Sequence, residues 1–139
     1  MSHTLTESRK ATYLEDLKTL LRIPSVSTDP NRKDEVKRCA EEVARQMKEA
    51  GLQGVEIMST PGHPVVYGEY KTSPDAPTAL IYGHYDVQPP EPLELWDSPP
   101  FEPKVRGGQL YGRGTVDNKG QHYLHLMAVE SFLKNKRQQ

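Results

Sequence analysis

His84 and Asp86 stand two residues apart where the apolar run Thr78 to Tyr82 gives way to GHYDVQ. Side chains two apart on an extended strand face the same way, so an imidazole and a carboxylate are presented together. A neutral imidazole can ligate a metal through one ring nitrogen while a carboxylate accepts from the other and fixes the tautomer. The same two residues also make an ordinary hydrogen-bonded pair at a strand end, without a metal. A further acidic candidate, Asp117, lies in GRGTVDNKG, residues 112–120, just ahead of a helical run. There it is either a site carboxylate or simply an N-cap. The glycines and lysine of that stretch do not make a phosphate loop. Lys119 precedes Gly120, and Gln121 stands where the Walker pattern needs Ser or Thr. The dinucleotide fingerprint fails as well, because its third glycine position is Asp117.

Composition narrows the chemistry. The chain has 139 residues, 35% hydrophobic and 27% charged, with a net charge of -1. That length suits about one domain of roughly 100 to 200 residues. No basic stripe accompanies this charge balance, so nucleic acid is not an expected partner. Nor does any apolar run approach the roughly 18 residues of a membrane span. The polar start MSHTLTESRKATYLEDLK carries no secretory signal, and the expected location is cytoplasmic. A single cysteine, Cys39, excludes an intrachain disulfide and a cysteine-based zinc cluster, leaving His, Asp and Glu as ligands for any metal.

The elements that must position these residues follow from periodicity and caps. Thr4 to Glu7 reads as a capping box, and Tyr13, Leu14, Leu17, Leu20 and Leu21 recur at helical spacing until Pro24 ends the run. Asp29-Pro30 opens a second helix whose stripe is Val36, Cys39, Ala40, Val43, Ala44 and Met47, with Gly51 as its stop. Short strands are expected at Val55 to Ser59 and Val65 to Tyr70. The run TALIYGHYD is apolar on both faces for five residues and reads as an inner strand of a covered sheet. The loop VQPPEPLELWDSPPFEP holds half of the chain's twelve prolines and is too apolar for a disordered linker, so an ordered flap anchored by Trp96 and Phe101 is expected. A hairpin from Glu102 to Tyr111 turns at Gly107-Gly108, and a last helix runs from about Asn118 to Asn135, apolar nearly all round. This order of elements predicts an α/β fold with a mixed or parallel sheet flanked by helices. Ligands of such folds collect at the carboxyl ends of strands, where His84 and Asp86 fall.

Taken together, YGHYDVQP (82–89), WDSPPFEP (96–103) and LYGRGTVDNKG (110–120) resemble, in that order and spacing, the dinuclear zinc peptidases and deacylases. That group includes carboxypeptidase G, aminoacylase, succinyl-diaminopimelate desuccinylase and the carnosinase-like dipeptidases. The proline-rich insert is most similar to the dipeptidase branch, and the resemblance runs through essentially the whole chain. It implies a zinc-exopeptidase-like sheet in which His84 ligates one Zn2+, Asp117 bridges two, and the catalytic-site carboxylate Asp86 steers the His84 ring. A cis peptide after the bridging aspartate is implied too, at Asp117-Asn118. The implied reaction is hydrolysis of the amide bond of a dipeptide or short peptide by a metal-activated water, with Co2+ or Mn2+ as alternatives to zinc. Deacylation of an N-acyl amino acid is the related alternative.

In that family the general-base glutamate and the remaining acidic and histidine ligands come after the helix that follows the bridging aspartate. Gln139 closes that helix here. Residues 1–139 are therefore expected to be an N-terminal part of a catalytic domain, inactive alone, with the lid or dimerisation domain and the C-terminal half lying elsewhere. The other expectation is a silent truncated or partner fragment. Implied partners are a short peptide or acyl amino acid and, for the full-length protein, a second copy. Glu130, inside the apolar helix, is not expected to be the missing base. His3 and His63 are expected to be solvent-exposed. His122 and His125, three apart, are expected to serve packing rather than a metal, and Arg113 to bind a carboxylate or pair within the fold.

Overall fold

The computed structural model describes residues 6–136. The first helix, α1, spans Glu7–Leu21, and its N-cap is Thr6, whose hydroxyl accepts from the Arg9 amide at 3.2 Å. Thr4, the expected start of the capping box, lies outside the described residues, as does His3. Asp29 caps a 3-10 turn, Pro30–Arg32, that runs directly into α2, Lys33–Ala50. Helix α2 buries the predicted stripe Val36, Cys39, Ala40, Val43 and Ala44 and ends at Gly51, whose φ of 97° is the left-handed conformation a C-terminal glycine supplies. The strands β1, Gln53–Met58, and β2, Val65–Glu69, pair antiparallel. A hairpin follows the proline-rich segment, with β3 at Lys104–Arg106 and β4 at Gln109–Tyr111. Gly107 and Gly108 turn it with positive φ at both positions, as a tight two-residue hairpin requires. Helix α3 then spans Lys119–Lys136.

The core forms where the end of α1 meets α2. Leu20, Ile23, Cys39 and Val43 are buried there, with Met47, Val66 and Tyr85 packed against them. Tyr85 is thus a core residue placed between His84 and Asp86, and its burial anchors both to the body of the fold.

One expected element is not formed. Residues 78–86 are extended but pair with no strand among the described residues, and Leu80, Ile81 and Tyr82 are exposed. The apolar composition is that of a central strand, but a strand needs a neighbour for its amides and carbonyls. Here the chain finds one only at its end, in a parallel bridge between Val26 and Val87. Helix α3 shows the same lack of cover. Tyr123, Leu126 and Leu133 are buried while Leu124 and Phe132 are exposed, and an apolar groove lined by Tyr13, Leu17, Leu124 and Met127 runs between α1 and α3.

The proline-rich flap is ordered as expected. Trp96 donates its indole N–H to the Pro90 carbonyl at 2.7 Å and lies beneath the Arg113 guanidinium, while Arg32 stacks on Phe101. Leu93 and Leu95 of the same flap are exposed.

Candidate metal centre

The site is built from the end of the 78–86 segment and the turn that leads into α3. Gly83 allows the two to meet. A Cβ added there would lie 2.6 Å from the His122 Cβ and 2.8 Å from Asn118 Oδ1, so only glycine lets the extended segment approach the helix this closely. The next residue uses that proximity, the His84 amide donating to Asn118 Oδ1 at 3.2 Å.

His84 is held from both sides of its ring. Nδ1 lies 2.9 Å from Asp86 Oδ1, and Nε2 lies 3.0 Å from Asp117 Oδ1. Residues 33 apart in the chain thus converge on one imidazole. Asp117 does not cap α3 in the way the alternative reading required; its carboxylate is three-quarters exposed and faces His84. The Asp117-Asn118 peptide is cis, as the resemblance implies.

Behind this trio lies a layer that sequence reasoning did not single out. Ser27 Oγ donates to Asp86 Oδ2, on the side away from His84. Ser25 is buried and donates to the Tyr85 carbonyl at 2.7 Å. Lys119, fully buried, donates to the carbonyls of Leu20 at 3.0 Å and Ile23 at 2.7 Å. Burial pushes its ammonium below the ordinary lysine range, with the neighbouring Cys39 opposing that shift. The same burial raises the Cys39 thiol, which makes it an inert core group rather than a nucleophile. Tyr85 is pushed up to about 12, chiefly by burial, and donates its hydroxyl to the Pro64 carbonyl. The sequence signal for this layer was the pair of serines, Ser25 and Ser27, directly after the helix stop at Pro24, a place where hydroxyls are free to bond other segments.

The other candidates fall elsewhere. His63 is half-buried rather than solvent-exposed, because its Nε2 meets the Ser27 carbonyl at 2.9 Å. His122 packs beside Gly83 and is pushed down to about 4, mainly by burial and then by Lys119; its Nε2 has no partner among the described residues. His125 is exposed rather than packed. Glu130 is buried and takes Arg9 and Lys134 on one oxygen, a structural role away from His84. Arg113 donates to the Pro89 carbonyl at 3.0 Å and binds no carboxylate among the described residues.

The donor set suits a divalent cation. Both nitrogens of His84 face carboxylate oxygens, yet a neutral imidazole carries a single N–H. An imidazolium would donate to both carboxylates; with a neutral ring protonated on Nδ1, the Nε2 and Asp117 lone pairs face one another and a divalent cation fits between them. Imidazole and carboxylate are the ligands of zinc, cobalt and manganese sites. The set is also incomplete. Among the described residues no group of three or more His, Cys, Asp or Glu side chains could hold a metal ion.

Comparison with known proteins shows what the chain is similar to. Residues 80–139 match peptidase family M20/M25/M40. The chain is 30% identical, over 95% of its length, to the Cys-Gly metallodipeptidase DUG1 of Saccharomyces cerevisiae, of which it covers 32%. A shorter stretch, 42% of the chain, is 53% identical to succinyl-diaminopimelate desuccinylase of Aromatoleum aromaticum, of which it covers 15%. Human carnosine dipeptidase 1 superposes on 94% of the chain with a TM-score of 0.84 at 28% identity, the match covering 30% of that structure. The chain spans no more than about a third of the length of the relatives it matches. Its α/β fold is that of part of these peptidase domains. The motif-bearing residues 80–139 thus match peptidase family M20/M25/M40, and the chain as a whole is similar in sequence and fold to metallodipeptidases.

Proposed function

We propose that His84 and Asp117 are two protein ligands of a zinc centre, and that residues 1–139 form the N-terminal part of the catalytic domain of a peptidase that hydrolyses dipeptides or short peptides. The observation that carries this reading is the convergence of His84, Asp86 and Asp117, with one carboxylate on each ring nitrogen. When bound, divalent ions supply Lewis-acid polarisation of the scissile carbonyl and a water of lowered pKa. The chain's own residues prepare that chemistry. Asp86 accepts the Nδ1 proton and so keeps the Nε2 lone pair directed at Asp117. Asp117, exposed and with a second oxygen free of His84, is suited to bridging. Cobalt or manganese would fit the same donors.

The general base and the remaining ligands are not supplied by the described residues, and Glu130 is committed to Arg9 and Lys134. The 139 residues alone are therefore not expected to turn over substrate. Dipeptides are favoured over acyl amino acids because the likeness to the Cys-Gly dipeptidase extends over 95% of the chain, whereas that to the desuccinylase is confined to 42%. Deacylation is the second reading, favoured only by the 53% identity within that shorter stretch. A cytoplasmic location and a homodimer of the full-length protein belong to the same proposal.

A chimaera tests the function directly. This chain, replacing the matching part of the yeast dipeptidase, is expected to hydrolyse Cys-Gly in a zinc-dependent way and to lose activity with His84→Ala or Asp117→Asn. A folded, zinc-loaded chimaera without hydrolysis, or one indifferent to both substitutions, would reject the reading.

A further inference from the structure

His84 and Asp117 come from distant stretches that share no strand pairing, yet each is tied to the same short segment between α1 and α2. On one side Ser27 donates to Asp86, and Val87 donates its amide to the Ser25 carbonyl at 3.0 Å. On the other, the Lys119 ammonium reaches the Leu20 and Ile23 carbonyls at the close of α1. Neither side chain can touch a substrate; Lys119 is fully buried, and Ser27 sits behind Asp86.

Each contact does something the site needs. The terminal torsion of an aspartate is broad and roughly two-fold. A carboxylate as exposed as that of Asp86, at 40%, would turn freely if only His84 held it. Pinning Oδ2 with a hydroxyl leaves Oδ1 at Nδ1. The Leu20 and Ile23 carbonyls accept the Ile23 and Ser25 amides, and the ammonium takes a second lone pair of each at the negative end of the α1 dipole. Because Lys119 opens α3, that bond also fixes the first turn of the helix, two residues from Asp117.

We propose that the α1–α2 loop is a brace that sets the separation of the two metal ligands, with Ser27 positioning Asp86 and through it the His84 ring, and Lys119 positioning Asp117. The geometric part concerns the chain as such; its consequence for metal affinity rests on the zinc reading above.

The experiment uses the 139-residue chain, without metal and then with zinc, in wild-type, Ser27→Ala, Ser27→Thr and Lys119→Met forms. Nitrogen-15 NMR at one fixed alkaline pH reads the His84 tautomer, and a cross-peak between the His84 ring and the Asp117 methylene reads their proximity. Wild-type chain is expected to show a single Nδ1–H tautomer and the cross-peak. Ser27→Ala should average the tautomers and weaken the cross-peak, Ser27→Thr should restore both, and zinc affinity, by chelator competition, should fall about 10- to 100-fold in the alanine form only. Lys119→Met, if it folds, should lose the cross-peak while Asp86 still holds the His84 tautomer. Ser27→Ala with wild-type tautomer, cross-peak and affinity overturns the brace, whether or not Lys119→Met folds. Chain that shows the expected NMR changes but binds no zinc in any form supports the brace and rejects the zinc reading.

Discussion

At the scale of single residues, the chemistry concentrates on an imidazole with a carboxylate at each nitrogen. Asp86→Asn keeps the shape of that arrangement but offers Nδ1 a weaker, uncharged acceptor. Zinc affinity of the chain, followed by competition with a chromophoric chelator, should fall by about 10- to 100-fold with little change in thermal stability. His122 makes a prediction about pH. Burial holds its folded value at about 4, against an unfolded value of about 6.5. Between these two values the unfolded chain binds the additional proton, so stability is complete above the upper one and falls as pH drops toward the lower one. With the ring half-buried, the loss should be about 2 kcal/mol. Urea unfolding of wild-type and His122→Gln chains across that window should show the wild-type loss exceeding that of the variant; parallel profiles would exclude His122 as the source. The motifs around His84, Asp86 and Asp117 made these residues legible before any coordinates. Ser27 and Lys119 were not, since a hydroxyl or an ammonium acquires a role only through the segment folded against it, and here those segments lie 59 and about 100 positions away. His63 was misjudged for the same reason, its partner Ser27 being 36 residues distant.

At the scale of elements, local signals did most of the work. The helix stops at Pro24 and Gly51, the stripe of α2 and the Gly107-Gly108 turn are written in neighbouring residues, and the structure follows them. The extended segment 78–86 departs from its expected form because strand character is completed by a pairing partner, and composition alone cannot supply one. Contact between this segment and α3 is nevertheless specific. Gly83→Ala would force its Cβ against His122 and Asn118, and the overpacking should cost about 1 to 3 kcal/mol. Denaturant unfolding should show that loss, together with weaker zinc binding as His84 is pushed from Asp117. Wild-type stability and affinity in the alanine variant would mean that the close approach is not needed.

At the scale of the whole molecule, the chain has the fold of part of a peptidase domain, and its exposed apolar surfaces and proposed two-ligand site tell the same story. Leu80, Tyr82, Leu124 and Phe132 are large, apolar and exposed, and the donor set lacks further ligands among the described residues. The chain covers about a third of its relatives' length, and the proposed cleavage calls for groups beyond those described here. The chain with zinc is expected to leave dipeptides intact, as followed by ninhydrin detection of released amino acids; metal-dependent release above background would contradict the silent state. The most direct measurement is the visible spectrum of the chain titrated with cobalt(II). A saturable d–d band that is abolished by His84→Ala and by Asp117→Asn, and is displaced by zinc, is the predicted result. No band, or a band unchanged in both variants, would contradict the claim that an imidazole and a carboxylate from two separate stretches form a metal centre.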